Sequence, residues 1–271
     1  MTLLVCWVGI DTHGPASIYI ASDSRYSTSK AQTFDFGRKL FVCKEWPDIF
    51  GYCGDVLFPS VALGQITALA DEGLLFDRSF PTEKKFSVVV EKLNDLLAGY
   101  PAKEFGLSRN GVTIIHASRC DDKEAGFSCN QISWHEDHGW RATGATMPKH
   151  SSVLLSDGSG KRYFDQMYSE LEQGANSRTS RNVFHSFCES LNLKEEATVG
   201  GAPQLVGLIR KPGSVGENYG IIHNYKRYFL GAHIDNARSF DNISWRNQLF
   251  ERCDGRTKKR FPNAQKQPLT R

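Results

Sequence analysis

The chain predicts an α+β protein, a four-layer αββα sandwich in which two antiparallel sheets lie between helix pairs. The first observation behind this is the order of hydrophobic periods: strands, two helices, strands, two helices, strands. Two sheets with helix pairs on their outer faces satisfy that order. The second is size: 271 residues, 40% hydrophobic and 23% charged, give ample core for one large domain. The third is continuity, with no linker, repeat or low-complexity segment before residue 244. The expected division is a domain over residues 1–243 and a basic C-terminal tail over 244–271.

The elements follow in order. Residues 3–8 and 17–21 are β-rich, and Gly9, Gly14 and Pro15 between them suit a hairpin connection. A second strand pair, residues 39–43 and 49–53, surrounds Trp46, Pro47 and Asp48. Leu57, Val61, Leu63, Ile66 and Leu69 then recur at helical spacing over residues 56–70, and Glu72-Gly73 ends the stretch. A second helix fits residues 83–97, opening after Pro81-Thr82 and followed by Gly99, with Phe86, Val89, Val90 and Leu93 inward. Strands follow at 112–117, 126–134 and 152–155, helices at 162–172 and 181–191, and strands at 204–209, 220–223 and 227–231.

Composition narrows the function classes. No run approaches the ~18 apolar residues of a membrane helix, and the start lacks a basic leader and a cleavage-site pattern. Seven scattered cysteines, none in C-x-x-C spacing, signal neither a zinc site nor a redox motif, so a reducing cytoplasm is expected. The net charge of +3 is uneven: residues 246–271 hold eight basic side chains against Glu251 and Asp254. That tail reads as a solvated terminus rather than a nucleic-acid arm. His135, Glu136, Asp137 and His138 make a ligand-like cluster, but in a polar turn, and no metal or organic cofactor is expected.

Chemistry is signalled at four places. Thr2 stands directly behind Met1, and methionine removal would give it a free amine beside its own hydroxyl, a nucleophile carrying its own base. Asp23 lies in Ala21-Ser22-Asp23-Ser24-Arg25 at a strand end, and Lys39 in Arg38-Lys39-Leu40 at a strand start. Gly54 lies where a strand gives way to a helix, and Ser159 in Gly158-Ser159-Gly160 at a second such passage.

Taken together, over roughly residues 2–210, these motifs resemble the proteasome β-subunit-like family of N-terminal nucleophile hydrolases, nearest to its bacterial HslV and Anbu branch. Two departures stand out: the Thr2–Asp23 hairpin is longer than the family's, and Glu196 and Val199 occupy the places of an Asp and a Ser before Gly200-Gly201.

The resemblance implies a threonine-type endopeptidase, a hydrolase of peptide or amide bonds with Thr2 as nucleophile. Asp23 would pair with Lys39, Lys39 would lower the pKa of the Thr2 amine, the Gly54 N–H would stabilise the oxyanion, and Ser159 would bond the amine or a water. It also implies peptide or unfolded-protein substrates and a homo-oligomeric ring or related assembly. Any ATP-dependent unfoldase would be a separate chain, since no Walker-type segment is present. The alternatives are an amidase acting on small-molecule amides with the same site, and a catalytically silent structural subunit that retains Met1. Arg25 is expected to be structural, and Cys53 to line the site or pack beneath it.

Overall fold

The computed structural model describes residues 2–27, 32–105, 107, 111–119 and 126–266. Met1, Cys120 and residues 267–271 lie outside them.

The chain begins with a hairpin, β1 (Leu4–Asp11) and β2 (Gly14–Ser22). Two short strands, β3 (Tyr26–Ser27) and β4 (Thr33–Phe34), precede β5 (Leu40–Val42) and β6 (Asp48–Gly54). Helices α1 (Leu57–Asp71) and α2 (Thr82–Ala98) follow, then β7 (Val112–Arg119), β8 (Phe127–His135), β9 (Gly139–Gly144) and β10 (Ser152–Asp157). After α3 (Lys161–Leu171) and α4 (Ser180–Leu193) come β11 (Gln204–Ile209), β12 (Glu217–His223), β13 (Lys226–Phe229), β14 (Ala232–His233), β15 (Ser244–Asn247) and β16 (Arg252–Cys253).

Two sheets carry the fold. One has the order β10-β1-β2-β11-β12-β13-β14, with β15 beside β12 and β16 beside β15; the other runs β5-β6-β7-β8-β9. Pairing is antiparallel throughout except for β12–β15, which is parallel.

Side-chain alternation explains how both sheets are buried on two faces. Along β1, Val5 and Trp7 point with Tyr19 and Ala21 of β2 to a cluster that includes Phe164 of α3 and Phe184, Phe187 and Leu191 of α4. The intervening Leu4, Cys6, Ile18 and Ile20 point the other way, to a cluster shared with Leu40, Ile49, Cys53, Ile115 and Ala117 of the second sheet. Phe50, Tyr52, Val112 and Ile114 face outward again, onto Phe58, Leu63 and Ile66 of α1 and Val89 and Leu93 of α2. The architecture is α+β, with antiparallel sheets and helices packed on them.

Most elements stand where the sequence places them. The short strands β3, β4 and β14–β16 were not expected, the last two building into the sheet part of a segment read as a solvated terminus. Three further differences have a physical reason. The longer hairpin is not a longer loop: β1 runs on to Asp11 and β2 starts at Gly14, leaving Thr12-His13 as the turn and a register shift between Gly9 and Ile10. The residues 9–15 expected to connect the strands mostly belong to them, because Arg210 binds Asp11 at 2.7 Å and the carbonyls of Gly14 and Pro15 at 3.3 Å. Strand β9 was not expected, since its largely exposed residues show no apolar alternation. In α2 the buried set contains Lys85, because its ammonium reaches Asp48 at 2.6 Å.

Beyond residue 243, β15 lies along β12 with Trp245 buried, and Arg252 and Cys253 of β16 extend that pairing. Among the described residues no helix is long and apolar enough to cross a membrane.

Candidate active site

Sheet register brings Thr2, Asp23 and Gly158 to one end of the first sheet. Leu4 of β1 pairs with Ser22 of β2 on one side and Asp157 of β10 on the other, and Gln204 of β11 pairs with Ser22. Thr2, Asp23 and Gly158 are therefore next to one row of partners. Lys39 arrives from the facing sheet, where its carbonyl accepts from Tyr52 N at the start of the β5–β6 ladder.

Thr2, Asp23 and Lys39 are all buried, at 1%, 0% and 0% exposure. Lys39 Nζ donates to Thr2 Oγ1 at 2.8 Å and to Asp23 Oδ1 at 2.8 Å. Asp23 is satisfied on both oxygens: Oδ1 also accepts from Leu3 N at 3.1 Å, and Oδ2 accepts from Arg25 N at 3.1 Å and Gly200 N at 3.0 Å. Burial of a charge without such partners would cost several kcal/mol. Burial holds the Lys39 ammonium below the ordinary lysine value, and the Asp23 charge opposes that shift.

The backbone around Thr2 is held by glycines. Gly160 N donates to Thr2 O at 3.2 Å. Gly158 has φ +97°, and a Cβ there would collide with the Thr2 carbonyl oxygen. The chain can pass this close only without a side chain.

Gly54 ends β6 with φ +95°, and a Cβ on it would meet Gly111 O at 2.7 Å. Helix α1 begins three residues later, and Asp55 Oδ1 accepts from Phe58 N at 3.0 Å in its first turn. Cys53 is buried in the cluster between the sheets, its thiol pKa pushed up by burial, so it packs beneath the site as an unreactive side chain.

Ser159 pairs with Thr198 Oγ1 at 2.9 Å, and Thr198 Oγ1 in turn donates to Glu196 Oε1 at 2.7 Å. The residue capping α3 is Gly160, with no side-chain hydrogen bond to the helix start, so Ser159 does not cap the helix. The segment departing from the family pattern thus supplies a carboxylate–hydroxyl–hydroxyl chain of its own.

Sequence reasoning missed four supporting residues. Gln204, wholly buried, donates to Asp23 O and Gly37 O at 2.9 Å each and accepts from Lys39 N at 3.2 Å, tying the two charged residues together. Asp35 takes the Arg25 guanidinium in a fork at 2.6 and 2.8 Å, while Arg25 Nη1 reaches Ala197 O at 3.0 Å. Thr198 and Gly200 complete the set. A lone glutamine at the head of the otherwise apolar run 204–209 was the one signal available. The ligand-like turn holds His135 Nδ1 at 3.2 Å from Asp137 Oδ2, with His135 and His138 rings stacked and all three residues exposed.

No family model matches the chain, and no curated protein does. Solved structures do match in fold. Anbu (ancestral beta-subunit) from Yersinia bercovieri superposes with a TM-score of 0.54 at 11% identity, covering 84% of this chain and 87% of that one. The helical assembly of the Anbu complex from Pseudomonas aeruginosa gives 0.54 at 14%, covering 86% and 88%. An Anbu mutant from Hyphomicrobium sp. strain MC1 gives 0.52 at 15%, covering 80% and 87%. At these identities the likeness shows the fold, which is the proteasome-like one that the sequence motifs resemble.

Proposed function

We propose that the chain is a threonine peptidase of proteasome-like fold, in which Thr2, exposed by loss of Met1, cleaves peptide or amide bonds. The observation that carries this is the buried Lys39 ammonium, 2.8 Å from both Thr2 Oγ1 and Asp23 Oδ1.

The steps follow from these groups. The Thr2 hydroxyl oxygen attacks the carbonyl carbon while its proton passes to the Thr2 amine, whose reference pKa of about 8 suits a base near neutrality. The Lys39 ammonium, held by Asp23, keeps that amine's pKa down by like-charge repulsion and fixes the hydroxyl. The Gly54 N–H, before α1, meets the tetrahedral oxyanion. The amine then gives its proton to the leaving nitrogen as the C–N bond breaks, leaving an ester on Thr2. Water, deprotonated by the same amine, hydrolyses the ester and restores the hydroxyl. Ser159, backed by Thr198 and Glu196, holds the amine or that water.

The architecture belonging to this reading is the four-layer αββα sandwich, supported by the three core clusters lying beneath α1–α2, between the sheets and beneath α3–α4. Residues 1–243 form its catalytic unit, and the basic C-terminal tail, 244–271, joins it through β15, which pairs with β12. Assembly into a homo-oligomer is supported by Leu57 and Val61, 45% and 51% exposed one turn apart on α1. The six described cysteines, all free and buried, suit a reducing cytoplasm. Unfolding of large substrates would need a separate chain.

Intact mass and N-terminal sequencing of the native-start protein, with a peptide and acyl-amide substrate screen of wild type and Thr2→Ala, test this reading. A chain starting at Thr2 whose peptide hydrolysis vanishes in Thr2→Ala is expected. A retained Met1 returns the silent-subunit alternative, and turnover of small amides alone returns the amidase.

A further inference from the structure

A cavity of about 570 Å³ opens between the start of α4, the β15–β16 strands and the C-terminal segment, well apart in sequence from the residues around Thr2. Its size falls within the range of about 300–1,000 Å³ usual for small-ligand pockets. Arg181, Arg246, Arg252 and Lys266 line it, and among the described residues no carboxylate does.

The walls are fixed rather than floppy. Arg181 donates to the carbonyls of Gln265 at 3.0 Å and Lys266 at 3.3 Å, closing the C-terminal segment over the helix start. The Arg246 guanidinium lies 5.2 Å over the Tyr219 ring and 5.5 Å from the Phe250 ring. Its Nε is buried with no hydrogen-bond partner among the described residues, an unusual state for a guanidinium nitrogen. The neighbouring carboxylate, Glu251, accepts from Asn247 Nδ2 at 2.8 Å and is not among the lining side chains. The N-terminus of α4, capped by Thr179 onto Asn182 N at 3.2 Å, adds its positive dipole end. Burial lowers the Arg181 pKa, and the nearby Arg246 charge lowers it further against the pull of Glu251. Four cations thus share one pocket, with Glu251 the acidic side chain acting on Arg181 from nearby.

We infer that this cavity is a binding site for a small molecule carrying two or more phosphate groups. Arginine forks match phosphate oxygens bidentately, and three of the four cations are arginines. Each phosphate brings about −1.5 to −2 charges at neutral pH. Four cations therefore balance two phosphates and overbalance one. A pocket of this volume takes a small polyanion, whereas a nucleic-acid backbone would need a basic stripe running on beyond these four side chains.

Calorimetric titration with inorganic triphosphate at about 150 mM ionic strength, where surface attraction is largely screened, tests this. The Arg252→Glu, Lys266→Glu double variant is the partner measurement, because both side chains are exposed and its unliganded melting temperature should match wild type. The expected result is saturable one-to-one binding, weakened at least about tenfold in the double variant, with citrate binding far more weakly. Arg246→Gln should weaken it as well. Absence of saturable binding, equal affinity in the double variant, or citrate binding as tightly as triphosphate would each overturn the assignment.

Discussion

Among the described residues two buried lysine–aspartate pairs have almost equal geometry, and only one of them makes a candidate site. Lys39 and Asp23 lie 2.8 Å apart with both side chains fully buried; Lys85 and Asp48 lie 2.6 Å apart with 4% and 0% exposure. Each pair has a third polar partner. For the first it is the Thr2 hydroxyl, and for the second it is His116, whose Nε2 is 2.8 Å from Asp48 Oδ1.

The surroundings separate them. His116 stacks on Phe50 at 4.5 Å and faces Phe86 at 6.3 Å, so that cluster is sealed under α2. It ties α2 to β6 and β7. The Thr2 cluster lies instead at a sheet end, where Gly158, Gly160 and Gly200 bring backbone groups against it. A buried ion pair is weak evidence of either stability or function by itself. What differs is a hydroxyl at the start of the chain and a backbone shaped to approach it.

That contrast can be broken experimentally. The largest effect expected is on activity: Thr2→Ala should cut hydrolysis by about 10³-fold or more, while loss of the charged hydrogen bond from Lys39 costs about 1.5–3 kcal/mol of stability. Rates and urea melts on the same preparation check both. The converse variant is Lys85→Met. It leaves Asp48 without its lysine and should cost about 3–5 kcal/mol of stability, with unchanged rate per folded molecule. If Lys85→Met abolished activity in fully folded protein, the two clusters would not be separable.

A pH experiment sharpens the comparison further. Burial alone would raise the Asp48 pKa, but His116 and Lys85 hold it below the ordinary carboxylate value. A depressed carboxyl contributes stability above its unfolded pKa of about 3.9, and that contribution is lost as pH falls through the folded value. Wild type should therefore show an acid-side fall in stability starting near pH 4, partly removed in Asp48→Asn, as melting temperature against pH would show. The smallest effect is at Ser159. If its hydroxyl also holds the Thr2 amine or a water, Ser159→Ala should slow turnover about fivefold, the value of one neutral hydrogen bond near 1 kcal/mol, and loss of its bond to Thr198 should lower the melting temperature by about 2–4 °C.

The same contrast explains what could be read from the chain. Thr2, Asp23 and Lys39, which hydrogen-bond one another, each sit in a short local motif with a telling strand context, so their meeting was legible. Helices α1 to α4 were legible too, because each has a run of apolar residues at helical spacing. The second layer around the site was not. Gln204 meets Asp23 across 181 residues, Gly200 meets it across 177, and Arg25 meets Ala197 across 172. No local pattern records such partners. Lys85 was illegible for a different reason: in Glu83-Lys84-Lys85 it looks like any solvated helix start, and only Asp48 on β6 draws it inside. Strand β9 was missed because its face is largely exposed, so hydrophobic alternation had nothing to mark.

The most direct measurement is intact-mass analysis of the native-start protein after exposure to a β-lactone, an electrophile that acylates nucleophilic hydroxyls, with fragmentation to locate the adduct. The account predicts a chain lacking Met1 that carries one acyl group on Thr2, and no acylation of Thr2→Ala. A chain that keeps Met1, or an adduct on any residue other than Thr2, would contradict it.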